Sequence, residues 1–584
     1  MYGFYGKLLR VNLTDKTHTV EDLPEDVMKE NLGGKALGAY LLLKYLPPKT
    51  DPLSPESKLI FTTGPAQDTT VSAAGRYGVF AKSPLTGIFG ESYSGGHTAP
   101  MMRRTGYDAI MIEGASSEPV YLHITDQGVE FNDASDLWGK ETYETEEALV
   151  EKVGVKGAQA IVIGPAGENL VKYSCIKNNK WRSAGRTGMG AVMGSKKVKG
   201  VVFSGSQKAP LYDEEKLKAY VKNMVKECVN TVRTQNMKEK GTPYMVEVTN
   251  KASAFPTRYW AEGSFDKWED ISSDRMRADM EVSPTACARC FMACGKLSKV
   301  TKGRHKGLVV EGPEYETLYA IGGLCCVSPI EEVVYLNDVC DRLGLDTISG
   351  GNVASFAIEM GIRGKLEGMP DYGDVDGIAD LFHKIAYRKG VGDFLAEGIR
   401  HISEQLDMVD YAVHAKGMEP AGYDPRALPG MSLGYAVSSR GGCHLRSSFY
   451  MGELRNEIPK DMVEGKAKIF LDFESRNALE DSLILCRFYQ QFIGWDGMLE
   501  ILKHTTGMDL ELEDLYAYGR HATNLARKFN IREGLTGADD KLPKRLFTDG
   551  IGPNKDMVVN ADNLKIMLKE YYELHGWDEN GMPK

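Results

Sequence analysis

This sequence lacks the features typical of membrane proteins, of disulfide-stabilised proteins and of nucleic-acid-binding proteins. The 584 residues contain no apolar run of about 18 residues, so we expect no membrane-spanning helix. Ten cysteines are too few for a disulfide-stabilised scaffold of this length. The opening MYGFYGKLLRVNL has no basic segment followed by an apolar one, so no secretory signal is predicted. A net charge of −10 disfavours nucleic acid and anionic membranes as partners.

The organisation of the chain changes near residue 210, and its length predicts more than one domain. Short apolar runs bounded by turn residues predict strands in the first part: 7–13, 58–65, 77–84, 109–114, 120–124, 160–165 and 200–205. Helical periodicity dominates from Leu211 onward. A loop-rich stretch at 415–436 suggests a second break. We therefore predict a β-rich domain over 1–210 and helical domains over 211–417 and 418–584, without a tandem repeat in the sequence.

Three of the ten cysteines lie close together in the segment TACARCFMACGK. Cys287, Cys290 and Cys294 form a C-x2-C-x3-C pattern, which lacks the second compact pair of a structural zinc site. A [4Fe–4S] cluster with one distant fourth ligand fits the spacing best, while zinc or no metal stay alternatives. Clustered thiols of this kind indicate a reducing, cytoplasmic location. The candidates for the fourth ligand are Cys175, Cys228, Cys325, Cys326, Cys340, Cys443 and Cys486.

A weak internal echo favours Cys486 among these candidates. DRLGLD (341–346) and DSLILC (481–486) share the form D-x-x-x-L-(D/C), and each follows an amphipathic helical run. We call these two segments the first and the second echo loop. Two similar loops at helix ends could hold two halves of one ligand. Coincidence at a helix terminus is the alternative interpretation.

Three further segments contain residue types suited to ligand binding or catalysis. WRSAGRTGMGAVMGSKKVKG (181–200) combines glycines with basic residues and could present backbone N–H groups to phosphate, or could be a tightly packed glycine helix. EGPEYE (311–316) puts three carboxylates within six residues, and SRGGCHLRSS (439–448) carries His444, so a Glu and a His could share general acid–base work at a carbonyl. A surface acidic turn and an ordinary loop histidine are the alternatives.

Taken in order, these segments resemble the aldehyde:ferredoxin oxidoreductases, the tungsten-pterin family. The resemblance runs over almost the whole chain and rests on RVNL, DPLSPESKLIFTTGP, GRYGVFAKSPLTG, GYDAIMIEG, IGPAGENLVK, AGRTGMGAVMGSKKVKG, the cysteine motif, EGPEYE, GLDTIS, YDPR, RGGCH and LPKR. It implies an α+β fold. Two N-terminal sheets related by pseudo-symmetry would form a base for the cofactor, and two mainly α-helical domains would follow.

The resemblance also implies the metal centres. Tungsten, or molybdenum, would be bound by the sulfurs of two pterins, with no obligatory protein ligand. A nearby [4Fe–4S] cluster would take Cys287, Cys290, Cys294 and Cys486. Mg²⁺ would bridge the pterin phosphates. Glu316 and His444 match the family's acid–base pair beside the metal.

The remaining matches concern pterin binding. Arg76 matches an arginine between cluster and pterin, and an aspartate on each echo loop can pair with the pterin ring. The implied cofactor-binding set is Arg76, Tyr93, Ser94, Gly95, Arg182, Ser183, Gly185, Arg186, Asp341, Gly344, Leu345, Asp346, Arg446, Asp481 and Leu485. Three positions depart from the family: Ile484 replaces a usual glycine, Tyr93 an asparagine, and Arg446 a lysine.

The function implied is oxidation of an aldehyde with water to a carboxylic acid. Electrons would leave through the cluster to ferredoxin or a ferredoxin-like iron–sulfur subunit. The alternatives are a relative that reduces carboxylic acids or aromatic acyl thioesters, in which Cys443 or His444 could ligate the metal, and a single-cluster electron-transfer protein without tungsten. A homo-dimer and a hetero-oligomer both stay open.

Overall fold

The computed structural model describes residues 1–583, and strands dominate the first third of the chain. Several of these strands are buried along their whole length, as expected of apolar runs covered on both faces. The strands are β1 Lys7–Asn12, β2 Thr17–Asp22, β3 Leu59–Thr62, β4 Tyr77–Lys82, β5 Phe89–Ser94, β6 Ala109–Glu113, β7 Val120–Thr125, β8 Gly128–Asp133, β9 Gln159–Val162, β10 Ile176–Asn178, β11 Arg182–Ala184, β12 Val198–Phe203, β13 Met280–Thr285, β14 Gly295–Val300 and β15 Val309–Glu311.

Helices occupy most of the chain after β12. The α-helices are α1 Glu25–Asn31, α2 Gly34–Tyr45, α3 Thr98–Arg103, α4 Thr142–Val153, α5 Pro165–Glu168, α6 Met189–Ser195, α7 Glu214–Cys228, α8 Val232–Lys240, α9 Met245–Lys251, α10 Ser273–Asp279, α11 Tyr315–Thr317, α12 Ile330–Leu343, α13 Thr347–Ile362, α14 Val375–Ala386, α15 Val391–Leu395, α16 Ile399–Gln405, α17 Gly430–Val437, α18 Tyr450–Leu454, α19 Lys466–Leu483, α20 Gln490–Thr506, α21 Leu512–Arg532, α22 Arg545–Thr548 and α23 Ala561–His575. A π-helix, Leu318–Gly323, continues α11.

The first twelve strands form two six-stranded sheets with the same topology. Their orders are β2-β1-β6-β3-β4-β5 and β8-β7-β12-β9-β10-β11. In both sheets the second and third strands in this order are parallel, and every other neighbouring pair is antiparallel. The expected α+β fold with two pseudo-symmetric sheets is confirmed, although the sequence itself shows no repeat.

The two sheets meet at their β5 and β11 edges through buried polar contacts. The Tyr77 hydroxyl lies 3.0 Å, and the Ser94 hydroxyl 2.6 Å, from Oδ1 of Asn178. The Asn178 amide also donates to the Gly95 carbonyl at 3.0 Å. Because these groups are buried, their hydrogen bonds hold the two edges in one register.

The helical part is built onto the first sheet by close helix packing. Helix α2 contacts both α19 and α21, and the three helices share a cluster of Ala36, Ala478 and Ala522. Small side chains at this crossing allow the helix axes to approach closely. Helix α19, which ends at the second echo loop, is thereby fixed against the first sheet.

No helix within residues 1–583 combines the length and the apolar character that a membrane span requires.

A buried ion pair joins distant parts of the helical region and leads to a stability prediction. Arg426 and Asp424 are both fully buried, with Nε–Oδ1 and NH2–Oδ2 distances of 2.9 and 2.7 Å. Arg426 also donates to the carbonyls of Trp260 and Asp549. Asp424→Ala would leave this guanidinium buried without its counter-charge, so we expect a loss of about 3–5 kcal/mol in the free energy of unfolding. Urea denaturation followed by circular dichroism measures this loss.

The matched control is Asp509→Ala, which removes an aspartate from an exposed pair with Lys503. That variant should unfold at the wild-type urea concentration, because solvent screens the exposed pair. Equal midpoints for Asp424→Ala and wild type would contradict the assigned role of the buried pair.

Candidate active site

Both sheets and the helical part line a cavity of about 420 Å³. Most of the predicted site residues line this cavity: Arg76, Tyr93, Gly95, Arg182, Ser183, Gly185, Arg186, Cys287, Cys290, Cys294, Glu316, Asp341, Leu345, Asp346, His444, Arg446 and Cys486. Four predicted residues, Ser94, Gly344, Asp481 and Leu485, belong to the same segments but do not line the cavity. Residues separated by up to 410 positions therefore meet in one place.

The cysteine triad lies in the loop between the paired strands β13 and β14. The backbone N–H of Cys290 donates to the Cys287 carbonyl at 3.0 Å, which forms a tight turn. This turn is seated on the first sheet, because Ala288 N–H donates to the Gly96 carbonyl at 2.9 Å. A Cβ at Gly95 would lie 2.8 Å from the Cys287 sulfur, so the predicted glycine makes room for a thiol.

Cys486 lines the same cavity as the triad. Its backbone N–H donates to the Ala73 carbonyl at 2.9 Å, just before Arg76. Among residues 1–583, no three His, Cys, Asp or Glu side chains converge tightly enough for a single metal ion. The four thiols surround a space instead, as a cluster with one cysteine per iron requires.

The surroundings of two of these thiols disfavour the thiolate form. Burial raises the pKa of Cys290, and it raises the pKa of Cys294 well above the usual range, where Glu314 and Cys486 add to the effect. Without a cation these sulfurs would hold their protons at neutral pH. A bound cluster would deprotonate them.

Arg76 lies between the fourth thiol and the first sheet. Its NH1 is 4.0 Å from the Cys486 sulfur, and its NH2 is 3.4 Å from the Tyr93 carbonyl oxygen. The guanidinium therefore spans the cysteine pocket and the strand β5 that carries the predicted Tyr93–Gly95 segment. The role of Arg76 between cluster and pterin stays a prediction.

The first echo loop follows helix α12. Asp341 is buried and accepts hydrogen bonds on both carboxylate oxygens, from Lys177 on Oδ1 and from Asn337 on Oδ2. Gly344 ends the helix in the left-handed conformation with φ +76°. Asp346 caps α13 by accepting from Ile348 N–H, and its Oδ2 lies 3.0 Å from Arg186 Nε.

The second echo loop follows helix α19 and is held differently. Every polar contact of the Asp481 carboxylate within residues 1–583 falls on Oδ2, which lies 2.8 Å from Arg446 and 2.6 Å from Arg487. Ile484 takes the left-handed conformation with φ +53° and ψ +47°, which glycine adopts with less strain than isoleucine.

Both echo loops contact the sheets at equivalent glycines. A Cβ at Gly64, after β3, would lie 2.6 Å from the Leu483 carbonyl oxygen. A Cβ at Gly164, after β9, would lie 2.6 Å from the Leu343 carbonyl oxygen. Each sheet thus receives one loop at the same point of its topology, which accounts for the echo in the sequence.

The glycine-rich segment 181–200 contains the tightly packed helix of one of its two predicted interpretations, and the binding of phosphate stays a prediction. Helix α6 is tightly packed, since a Cβ at Gly190 would lie 2.6 Å from the Cys175 carbonyl oxygen. Lys196 turns away from the cavity and donates to the Ser57 carbonyl at 2.7 Å. Upstream of the helix, Arg182 pairs with Glu311 and Arg186 with Asp346 and Glu419.

Glu316 and His444 meet in the cavity wall. Glu316 lies in α11, and its Oε2 accepts from Gly422 N–H at 3.1 Å. Its Oε1 is 3.3 Å from His444 Nε2 but makes no well-aligned hydrogen bond to any of residues 1–583. The interpretation of EGPEYE as a surface turn is wrong, because three of its carboxylates, Glu311, Glu314 and Glu316, line the cavity.

The local charges set the protonation of this pair. Burial raises the pKa of Glu316 to about 8, although Gly422 N–H and Arg186 act in the opposite direction. Burial, followed by the positive charges of Arg440 and Arg186, holds the pKa of His444 well below its usual value. At neutral pH the pair therefore consists of a mostly protonated carboxyl group and a neutral imidazole, ready to exchange one proton.

A wall of tyrosine rings surrounds this pair. The rings of Tyr423 and Tyr450 are stacked with centroids 3.7 Å apart, and Tyr423 lies 5.3 Å from the His444 ring. Tyr315 packs against Tyr423 at 5.2 Å. These rings keep water away from the carboxyl group, which is consistent with its raised pKa.

The cavity has the chemistry of a cofactor site. Within residues 1–583, buried polar atoms in its wall lack protein partners, among them Trp181 Nε1, Arg446 Nε and Arg440 Nε. Buried N–H groups are rarely left unpaired in a folded protein. Together with four convergent thiols, these free donors fit an anionic, many-atom ligand beside an iron–sulfur cluster.

Sequence reasoning missed several residues that complete the site. Lys177 and Asn337 bind Asp341, Arg487 binds Asp481, and Glu91 lies 2.7 Å from Arg446. None stands in a recognisable motif. Arg487 follows Cys486 directly, and this adjacency was the one available signal.

Sequence models of the aldehyde ferredoxin oxidoreductase family match nearly the whole chain. The N-terminal domain of the family matches residues 8–205, and domains 2 and 3 match residues 219–584. The chain therefore belongs to the aldehyde ferredoxin oxidoreductase family, a family of oxidoreductase enzymes.

Individual relatives agree with this assignment. The chain is 39% identical to the tungsten-containing aldehyde ferredoxin oxidoreductase of Thermococcus kodakarensis, with 100% of this chain and 97% of the relative covered. It is 32% identical to the WOR-like subunit of an aliphatic sulfonate oxidoreductase from Pyrococcus furiosus, with 100% and 96% covered. The active-site complex BamBC of benzoyl-coenzyme A reductase has the same fold, with a TM-score of 0.85 at 24% identity over 100% of this chain and 96% of that one.

Proposed function

We propose that this protein oxidises an aldehyde with water to a carboxylic acid. Each turnover converts RCHO and H₂O to RCOOH, two electrons and two protons. The observation that carries the proposal is the Glu316–His444 pair, which lies in the same cavity as four thiols and the first echo loop.

The cofactors we assign are a tungsten bis-pterin, a [4Fe–4S] cluster and Mg²⁺ between the pterin phosphates. Cys287, Cys290, Cys294 and Cys486 would hold the cluster. The echo loops would hold one pterin each, through Asp341 with Leu345 and through Asp481 with Leu485. When bound, the pterin-held metal supplies a two-electron acceptor and the cluster passes electrons on singly.

The phosphate side of the pterins falls at the edge where the two sheets meet. Tyr93, Ser94 and Gly95 lie at the end of β5 and just after it, and the group Arg182, Ser183, Gly185 and Arg186 lies on β11 and just after it. Because Arg182 and Arg186 are already paired with carboxylates, backbone groups would do most of the phosphate binding. The side chain of Tyr93 is then free to differ from the family's asparagine.

Glu316 and His444 would move the protons of the reaction. In its ionised form, Glu316 accepts a proton from the attacking water. The neutral imidazole of His444 would donate its Nδ1–H to the oxygen that becomes negative, and its Nε2, 3.3 Å from Glu316 Oε1, would take over the proton that Glu316 has accepted. Each role is worth roughly 10²–10⁴-fold in rate.

A reductive reaction on carboxylic acids or aromatic acyl thioesters is the alternative. In the most specific version of this alternative, the Cys443 sulfur would be a ligand of the metal. Burial alone would raise the pKa of the Cys443 thiol, but the positive charges of Arg440 and Arg446 lower this pKa to about 7. The sulfur accepts from Arg440 at 3.0 Å and from Leu445 N–H at 3.3 Å, and it does not line the described cavity, so aldehyde oxidation is preferred.

The electron acceptor, the cellular location and the domain boundaries are also part of this proposal. We assign a ferredoxin or ferredoxin-like iron–sulfur protein as electron acceptor and the cytoplasm as location. We also retain the division into domains at residues 210 and 417. The first of these divisions falls between the last strand of the second sheet and helix α7.

Metal analysis and an anaerobic assay test the proposal together. We expect about one tungsten and about four irons per chain, and reduction of a viologen dye when simple aldehydes are added. A chain with iron but neither tungsten nor molybdenum would contradict the cofactor assignment. Dye oxidation by carboxylic acids or aromatic thioesters, without any aldehyde activity, would favour the reductive alternative.

A further inference from the structure

The hydroxyl group of Tyr489 lies against one thiol of the cysteine triad. Its oxygen is 3.2 Å from the Cys290 sulfur. Tyr489 is 1% exposed, so solvent cannot satisfy this hydroxyl. The residue follows Cys486 by one tight turn, in which Tyr489 N–H donates to the Cys486 carbonyl at 3.0 Å.

The direction of this hydrogen bond follows from counting donors. The backbone N–H groups of Phe291 and Met292 both donate to the Tyr489 oxygen, at 3.2 and 3.4 Å. A phenol oxygen has two acceptor positions and one hydrogen, so both acceptor positions are used. Within residues 1–583 the Cys290 sulfur is the remaining partner for the hydrogen.

Packing holds the phenol in this position. The Tyr489 ring makes edge-to-face contacts with Phe291, at 5.0 Å, and with Phe492, at 6.3 Å. Such contacts restrict the ring's rotation and keep the hydroxyl aimed at the triad. The side chain therefore ties the fourth cysteine's turn to the loop of the other three.

We propose that Tyr489 is a redox-tuning residue, which donates its phenolic O–H to the Cys290 thiolate and raises the reduction potential of the cluster. The inference rests on the proposed [4Fe–4S] site and goes beyond it, since the ligand set alone does not require a donor here. Hydrogen bonds to cluster sulfurs are one of the properties that set such potentials.

The physical basis is the charge on the sulfur in the two redox states. Reduction adds one electron to the cluster and increases the negative charge on its ligands, while the phenolic proton stays on oxygen. A hydrogen bond to a more negative acceptor is stronger. The tyrosine therefore stabilises the reduced state more than the oxidised state.

The test is a redox titration of the holoenzyme, followed by electron paramagnetic resonance of the reduced cluster. Tyr489→Phe removes the hydroxyl and keeps the ring. We expect the reduced-to-oxidised ratio at a given potential to fall about tenfold, a shift of ~59 mV to more negative potential for one electron. Replacing Tyr489 with 3-fluorotyrosine, whose phenol is a stronger donor, should shift the potential in the positive direction.

Tyr571→Phe is the matched control. It removes a buried hydroxyl that lies 2.9 and 3.0 Å from the Glu474 carboxylate, outside the cavity. Its titration should overlay the wild type. Overlapping titrations for wild type and Tyr489→Phe, with iron content intact, would overturn the inference while leaving the cluster assignment in place.

The fluorotyrosine protein keeps the inference testable when Tyr489→Phe fails to fold. A negative or absent shift in that protein would also overturn it. Wild-type protein that binds no iron at all would overturn the cluster assignment and the tyrosine's role together. The two failures are therefore distinguishable by iron content.

Discussion

Glu316→Gln is expected to lower kcat by about 10²–10⁴-fold without loss of tungsten or iron. The amide keeps the size of the side chain and can still accept the hydrogen bond from Gly422 N–H. It cannot accept a proton from the attacking water. Steady-state kinetics with an aldehyde and a viologen dye, together with metal analysis of the same sample, measure the effect.

The comparison variant for this prediction is Glu314→Gln. Glu314 belongs to the same segment and also lines the cavity, but its recorded side-chain partner is the hydroxyl of Thr242 rather than His444. The same chemical change there should cost far less activity. Full turnover by metal-loaded Glu316→Gln would rule out Glu316 as the base.

The pH dependence gives a second measure of the same residue. Because burial raises the pKa of Glu316 to about 8, most molecules carry a protonated, inactive base below that pH. We therefore expect kcat/KM of the wild type to rise with pH through about pH 8 and then level off. In Glu316→Gln this limb should be missing, since the titrating group has been removed.

Cys486→Ala is expected to abolish the iron–sulfur cluster and to lower tungsten content as well. The cluster would lose its fourth ligand. The same loop carries Asp481, whose Oδ2 is held by Arg446 and Arg487, so a disordered turn at Cys486 should disturb the pterin contact. Iron and tungsten analysis and the electron paramagnetic resonance signal of the reduced protein measure both losses.

Cys228→Ala provides the matched control for that experiment. Cys228 ends helix α7, is 9% exposed and does not line the cavity. This variant should retain both metals. A Cys486→Ala protein that loses its cluster but keeps a full complement of tungsten would show that the loop does not couple the two sites.

The strands could be predicted where their own residues are apolar. All seven apolar runs identified in the sequence overlap strands, whereas β2, β5, β8, β10, β11, β13, β14 and β15 were not predicted. β2 is almost entirely exposed and owes its conformation to pairing with β1. β5 contains Glu91, a buried carboxylate compensated by Lys35 and Arg446 from distant parts of the chain.

The candidate site was predictable to the extent that its residues stand in motifs. The cysteine spacing, the echo loops and the Glu–His pair all point to residues that the fold brings together. The partners that hold them could not be found in this way. Lys177 reaches Asp341 and Tyr489 reaches Cys290 across 164 and 199 positions, and such distances are fixed by tertiary packing.

The carbonyl contacts at Gly64 and Gly164 bear on how the enzyme is made. At each glycine a sheet is closed by a loop from far downstream in the chain. A ligand held by both loops and both sheets would enter more easily before these contacts form. We therefore expect cofactor insertion to precede closure of the helical part during biosynthesis, and each finished molecule to keep its original cofactor until it is degraded.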